Sequence, residues 1–233
     1  MVKTTDVIVV GGGVNGTCIA YHLAQRGASV TLVEKDNIAA GPTGLSCGII
    51  RQHYSHPITA SIALAALRFF ENFEDLVGGD CDFRQTGYIF AAGPDTIDTL
   101  KSNVALQQSL GINTSVISVE ELRELVPGAA VDGIVGAAYE PESGYADPYS
   151  TSVAFANRAE ELGAEVLTGT EVRSVIIESG RPVVLLPTRV DSRLLQSFWR
   201  QAPGHRGSPS CLASTCRLFR AEFRFACSNV PPT

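Results

Sequence analysis

The run Gly11-Gly12-Gly13-Val14-Asn15-Gly16 follows directly on an apolar stretch, Val7 to Val10, and a carboxylate, Glu34, stands eighteen residues past the last glycine. These residue types at this spacing can bind a dinucleotide. Gly11 permits a tight turn after a strand, Gly13 lets the backbone approach a pyrophosphate, and Gly16 lets the following helix pack closely on the sheet. Val14, Asn15 and Gly16 then open that helix, whose N-terminal N–H groups and positive dipole end favour phosphate. Glu34 ends a second apolar run, Ala28 to Val33, where a carboxylate accepts hydrogen bonds from both hydroxyls of an adenosine ribose and disfavours a 2′-phosphate. The expected ligand is therefore FAD or NAD and not NADP. The six cysteines, at 18, 47, 81, 211, 216 and 227, form no CxxC pair. That pattern argues against a disulfide framework and a metal site, and Cys18, inside the first helix, reads as a small buried thiol. No Ser/His/Asp or Cys/His nucleophilic set is apparent.

The elements that must position these residues follow from periodicity. The first helix keeps its sheet-facing side small at Ala20 and ends at Gly27. A long Gly/Ser/Thr-rich loop runs from Ala39 to His56, and a loop of this length in a compact domain is usually functional. From Pro57 the pattern turns helical, with Ile58, Ile62, Ala65, Phe69, Phe73 and Leu76 as an apolar stripe and its phenylalanines read as core. Phe83 to Ala92 reads as a strand. Helices are expected over Asp95 to Leu110 and Val119 to Leu125, the second opened by Ser118 with Glu121 as capping-box acid. A short strand at Ala137-Ala138-Tyr139 precedes a turn, Gly144 to Pro148, and a helix over Tyr149 to Leu162. Glu165 to Leu167 and Glu171 to Ile177 are the next strands.

A hydrophobic content of 45% fits a globular chain. Apolar runs fall short of a membrane span, and the first residues enter a strand without a signal-peptide pattern, so a cytoplasmic protein without membrane contact is expected. Charge divides the chain. Residues 1–180 carry 10 Lys and Arg against 22 Asp and Glu, whereas residues 181–233 carry 8 Arg, no Lys and 2 acids.

Together these segments resemble the flavin-dependent amine oxidoreductases of the D-amino acid oxidase superfamily, in the branch of the sarcosine oxidase β-subunit and dimethylglycine dehydrogenase. The likeness spans about Asp6 to Gly180. It rests on the glycine motif with Glu34, the loop Gly41 to Tyr54 ending Ile49-Ile50-Arg51-Gln52-His53-Tyr54, Phe83 to Ala91, and Gly144 to Pro148 with the helix and strand that follow. The resemblance implies an α/β fold, with a Rossmann-like FAD-binding domain of the glutathione-reductase type interleaved with a partial antiparallel-sheet substrate domain. Residues 1–80 and 141–180 would form the first domain and 81–140 the second. It implies that Glu34 and Lys35 hold the adenosine ribose, that Thr43, Gly44 and Ser46 line the pyrophosphate and flavin, and that Val172 meets adenine through its backbone.

Arg51 matches the position where some relatives grip a substrate carboxylate, a role suited to a planar, permanently charged fork; the alternative is a structural arginine paired with a surface acid. Tyr54 would polarise or wall that site, or simply pack. His53 and His56 would tune a substrate amine or lie exposed. Leu45 stands at the approximate position of the histidine that some relatives use for covalent flavin, so noncovalent FAD is expected. The implied reaction is oxidation of an amine C–N bond with O2 or an electron-transfer protein as final acceptor. Hetero-oligomer formation is compatible with the family, and no nucleic-acid partner is implied.

Beyond Gly180 the resemblance is expected to stop. Residues 181–233 hold eight Arg, three Cys, six Pro and six Ser, and no sustained period is read after Val183 to Leu186. An atypical tail is expected, disordered or out of frame, with a basic recognition arm as the alternative. A noncatalytic, truncated dinucleotide-binding fragment is accordingly the second functional reading.

Overall fold

The computed structural model describes the backbone of residues 2–178, 181–186 and 217–225 and the side chains of residues 5–175. The chain divides into two compact units, one of residues 1–45 with 148–233 and one of residues 46–147. The family resemblance implies boundaries at 80/81 and 140/141 instead. The helices that follow Pro57 fall within the second unit, because their partners lie among residues 46–147.

In the first unit, β1 (Val2–Val10) leads into α1 (Val14–Gln25) and returns as β2 (Val30–Val33). β1 and β2 pair in parallel from Val7 opposite Val30 to Val10 opposite Val33. Ile8, Val9, Val30, Leu32 and Val33 are buried on both faces, as the unbroken apolar runs require. α6 (Pro148–Glu161) packs beside α1, with the rings of Tyr21 and Phe155 5.5 Å apart. β8 (Glu165–Leu167) then adds in parallel to β2. On the other side, β9 (Ser174–Glu178), β10 (Arg181–Leu186) and β11 (Arg217–Phe225) complete a six-stranded sheet ordered β8-β2-β1-β11-β10-β9.

β11 corrects the expectation that nothing regular follows Leu186. It lies antiparallel to β1 and parallel to β10, between the two. Its sequence from Phe219 to Phe225 alternates apolar and charged residues, Phe-Arg-Ala-Glu-Phe-Arg-Phe, a period-2 signal hidden by the tail's overall composition. The same pairing explains why β1 begins at Val2 and not at Val7. The remainder of the tail lies outside the described residues.

The second unit is built on β4 (Tyr88–Ala92), β5 (Ser115–Ile117) and β6 (Gly136–Glu140), antiparallel in the order β4-β6-β5. α4 (Ile97–Ser109) covers one face, where Leu100 and Val104 meet Ala92 and Ala138. On the other, Leu122 of α5 (Val119–Leu125) packs on Ile117 and Ala137. Ser118 and Glu121 form the expected capping box, with the Ser118 N–H donating to the Glu121 carboxylate at 2.7 Å and the Glu121 N–H to Ser118 Oγ at 3.2 Å. The pattern from Pro57 becomes two helices, α2 (Pro57–Glu71) and α3 (Phe73–Val77), broken at Asn72.

Two expectations about packing are corrected. The stripe Ile58, Ile62, Leu76 faces solvent, with Ile58 and Ile62 each about two-thirds exposed, while Ala60, Leu67, Phe73 and Val77 are buried. α2 is apolar nearly all round, so three- and four-residue spacing admits more than one face. Phe73 does sit in a cluster with Phe69 and Phe70. Cys18 is half-buried, and burial pushes its thiol pKa up. Among the described residues, no helix is long and apolar enough to cross a membrane, and no His/Cys/Asp/Glu group is placed to hold a metal.

Candidate functional site

The glycine turn and Glu34 come together in the first unit. Gly11 has φ +109°, a conformation that L side chains rarely adopt. Its N–H donates to Val33 O at 2.8 Å, tying the turn to the end of β2. The neighbouring Gly12 N–H donates to Glu34 Oε2 at 2.6 Å, and the Asp36 N–H donates to Oε1 at 2.8 Å. Each carboxylate oxygen is thus fixed by one amide and keeps acceptor capacity for hydroxyls.

α1 begins at this turn. Gly13 is its N-cap, with no side-chain cap and no acid in the first turn. The N–H groups of Asn15 and Gly16 have no intrahelical acceptor by position, which leaves the helix end suited to an anion. Val14 N–H donates to Thr43 Oγ1 at 3.1 Å. Because that oxygen accepts, the hydroxyl proton remains available to an anion at the same helix end. A Cβ on Gly13 would lie 2.8 Å from Thr43 Oγ1, so the bare glycine is what admits the hydroxyl.

Thr43 and Gly44 are held there by Ala39. Its N–H donates to Gly12 O at 2.9 Å and its carbonyl accepts from Gly44 N–H at 3.0 Å. Ala39 pays for this with a left-handed backbone, φ +61°, a strain of about 1 kcal/mol that only an over-determined loop retains. Lys35 is exposed, 3.9 Å from Asp36. Thr170 N–H donates to Glu34 O at 2.8 Å, which brings the segment leading to Val172 alongside Glu34. Ser46 belongs to the second unit, where its Oγ accepts from Gly48 N–H at 3.1 Å.

Arg51 and Tyr54 come together in the second unit. The two-stranded pair of β3 (Ile49–Ile50) and β7 (Gly144–Tyr145) carries the chain into Arg51. The guanidinium carbon lies 4.7 Å from the Tyr54 ring centroid and 5.8 Å from that of Tyr88, and Nη1 donates to His53 O at 3.0 Å. Among the described residues no carboxylate lies within ion-pair distance of Arg51, so the surface-acid alternative finds no support. A cation flanked by two aromatic faces and fixed at one nitrogen keeps its other donors for a planar anion.

His53 is buried at 6% exposure, a correction to the exposed reading, and its ring stacks on Phe90 with centroids 4.8 Å apart. His56 is exposed. Beneath the Arg51–Tyr54 segment lies a buried polar group that sequence reasoning missed: Gln52, Gln107, Glu140 and Ser143, all fully buried. Gln107 Nε2 donates to Tyr54 O at 3.0 Å. Its only sequence-level sign is an acid closing the apolar strand Ala137-Ala138-Tyr139.

A family model described as FAD dependent oxidoreductase matches residues 6–195, which extends past Gly180, where the resemblance was expected to stop. The Haloferax volcanii protein named anaerobic glycerol-3-phosphate dehydrogenase subunit A1 is 36% identical over 186 residues, 78% of this chain and 31% of that protein. Mitochondrial dimethylglycine dehydrogenase of Rattus norvegicus is 30% identical over 190 residues, 80% of this chain and 21% of that protein. The solved L-proline dehydrogenase of P. horikoshii aligns with a TM-score of 0.73 at 32% identity, covering 78% of this chain and 48% of that one. The chain therefore spans about half the length of that solved relative and under a third of those two curated relatives.

Proposed function

The chain belongs to the FAD-dependent oxidoreductase family of the D-amino acid oxidase type, and we propose that it oxidises the C–N bond of an amino acid or N-methyl amino acid of the sarcosine and dimethylglycine kind. FAD is the cofactor of this family, and homologues include amine and amino-acid oxidoreductases. When bound, FAD supplies the two-electron acceptor for conversion of an amine to an imine, which water hydrolyses. The residues of this chain bind and orient. Glu34 takes the ribose hydroxyls, with Lys35 beside it. The first turn of α1 and the hydroxyl of Thr43 take the pyrophosphate, with Gly44 along the flavin side and the Val172 backbone at adenine.

The single observation that carries the substrate class is Arg51, a half-buried guanidinium without an acidic partner among the described residues, stacked on Tyr54 and anchored to His53 O. Such a group holds a substrate carboxylate in a fixed orientation. The final electron acceptor is O2 or an electron-transfer protein, and partner chains in a hetero-oligomer would supply the remainder of a full-length site. The identity to the Haloferax volcanii protein favours a second substrate reading, the C–O bond of a glycerol phosphate, whose anion Arg51 would also bind.

Anaerobic mixing of the FAD-loaded chain with sarcosine, dimethylglycine, proline and glycerol 3-phosphate separates these readings. Flavin bleaching by an amino acid is the expected result. Bleaching by glycerol 3-phosphate alone would transfer the chain to the second substrate class, and bound flavin that no substrate reduces would mark a noncatalytic dinucleotide-binding fragment.

A further inference from the structure

Glu140 closes β6, and its side chain is fully buried. A buried carboxylate is costly unless its oxygens are occupied by donors. Here Oε2 accepts from the Gln52 N–H at 2.9 Å and from Ser143 Oγ at 2.8 Å, while Oε1 stands 3.6 Å from His53 Nδ1. Gln52 and His53 are the two residues between Arg51 and Tyr54. Arg51 in turn donates to His53 O, and Tyr54 N–H donates to Gln52 O at 2.9 Å. One side chain therefore grips the backbone on which the guanidinium and the ring beneath it are mounted.

We propose that Glu140 is a positioning residue for the anion clamp: by holding the Gln52 amide and the Ser143 hydroxyl on one oxygen, it fixes the Arg51–Tyr54 segment so that the guanidinium meets a substrate carboxylate. The proposal rests on the carboxylate reading of Arg51 given above. The required feature is the reach of an acceptor oxygen and not the charge. Glutamine in its place puts an oxygen at the same point, and its NH2 takes the position of Oε1, facing His53 Nδ1, which accepts in the Nε2–H tautomer and also stands 3.4 Å from Gln107 Nε2. Aspartate keeps the charge but is one methylene short, about 1.5 Å, and cannot reach the Gln52 amide.

The test uses the full FAD-loaded chain and trimethylglycine. This probe bears the carboxylate, but its quaternary nitrogen has no lone pair to expel a hydride, so it binds without turnover. Affinity is read by calorimetry and backbone protection by hydrogen exchange. Glu140→Gln is expected to bind within about threefold of the parent and to keep the Gln52 amide protected, whereas Glu140→Asp loses that protection and about tenfold in affinity, the effect of one buried hydrogen bond lost. In an Arg51→Lys background the Glu140→Asp effect on affinity should shrink below about twofold, because the two residues act through one contact.

A weakened Glu140→Gln with a normal Glu140→Asp would overturn the proposal in favour of charge. Full, independent losses in both backgrounds would reduce Glu140 to a stability residue. Failure of the substrate reading looks different: the parent and Arg51→Lys would then bind trimethylglycine equally or not at all, while the exchange pattern at Gln52 still reported on the grip of Glu140.

Discussion

Glu34 is held from two sides by amides before any ligand arrives, and that is what makes it a test of the cofactor cradle. Removing its carboxylate in Glu34→Ala leaves ribose hydroxyls and the Gly12 and Asp36 N–H groups without an acceptor, so FAD affinity should fall by about 1–3 kcal/mol in a fluorescence titration. Gly13→Val should do worse, since its side chain enters the space occupied by the Thr43 hydroxyl and so also disturbs the bond to Val14 N–H. Unchanged affinity in both variants would remove the assignment of this turn to FAD. At this scale the meeting of the glycine turn with Glu34 was legible because a dinucleotide-binding turn calls for those residue types at fixed spacing. Glu140, Gln107 and Gln52 were not, because their partners lie up to 88 residues away, and no local pattern encodes a buried acid.

Among the elements, α5 offers a pH-dependent test. The Ser118 amide first, and the Ser118 side chain second, hold the Glu121 carboxyl below its ordinary pKa. A depressed carboxylate contributes stability that is full above the unfolded pKa of about 4.3 and disappears as pH falls through the lower folded value. The first turn of α5 should therefore fray in acid, seen as faster exchange of the Ser118 and Glu121 amides. Glu121→Gln should show a much flatter dependence, and an equal pH response in both forms would count against the capping box. Its S-x-x-E spacing made this cap readable in the sequence. Periodicity failed at α2, where alanines and leucines surround the axis and only tertiary packing chooses the buried face.

For the whole molecule, the unexpected element is β11, which adds a second neighbour to β1 more than 200 residues away in sequence. Deletion of residues 187–233 should raise the hydrogen-exchange rates of the Val2–Thr5 amides, while the parallel bonds between Val7–Val10 and β2 keep that half of β1 protected. Equal exchange at Val2–Thr5 in both forms would show that β11 does not guard this edge. The family match reaches residue 195 and Arg217–Phe225 forms a strand, so within the tail these two stretches depart from the expected absence of family likeness and of regular structure.

In the proposed reaction, Arg51 holds an amine substrate by its carboxylate while bound FAD accepts its electrons. The most direct measurement is the anaerobic rate of flavin reduction by sarcosine and by its decarboxylated counterpart, dimethylamine, in the parent and in Arg51→Lys. Sarcosine is expected to reduce the parent, and dimethylamine to do so little. The sarcosine rate should also be at least about tenfold lower in Arg51→Lys at unchanged FAD affinity, since an ammonium cannot reproduce the bidentate contact. Equal rates with the acid and the amine, or an Arg51→Lys chain as fast as the parent, would contradict it.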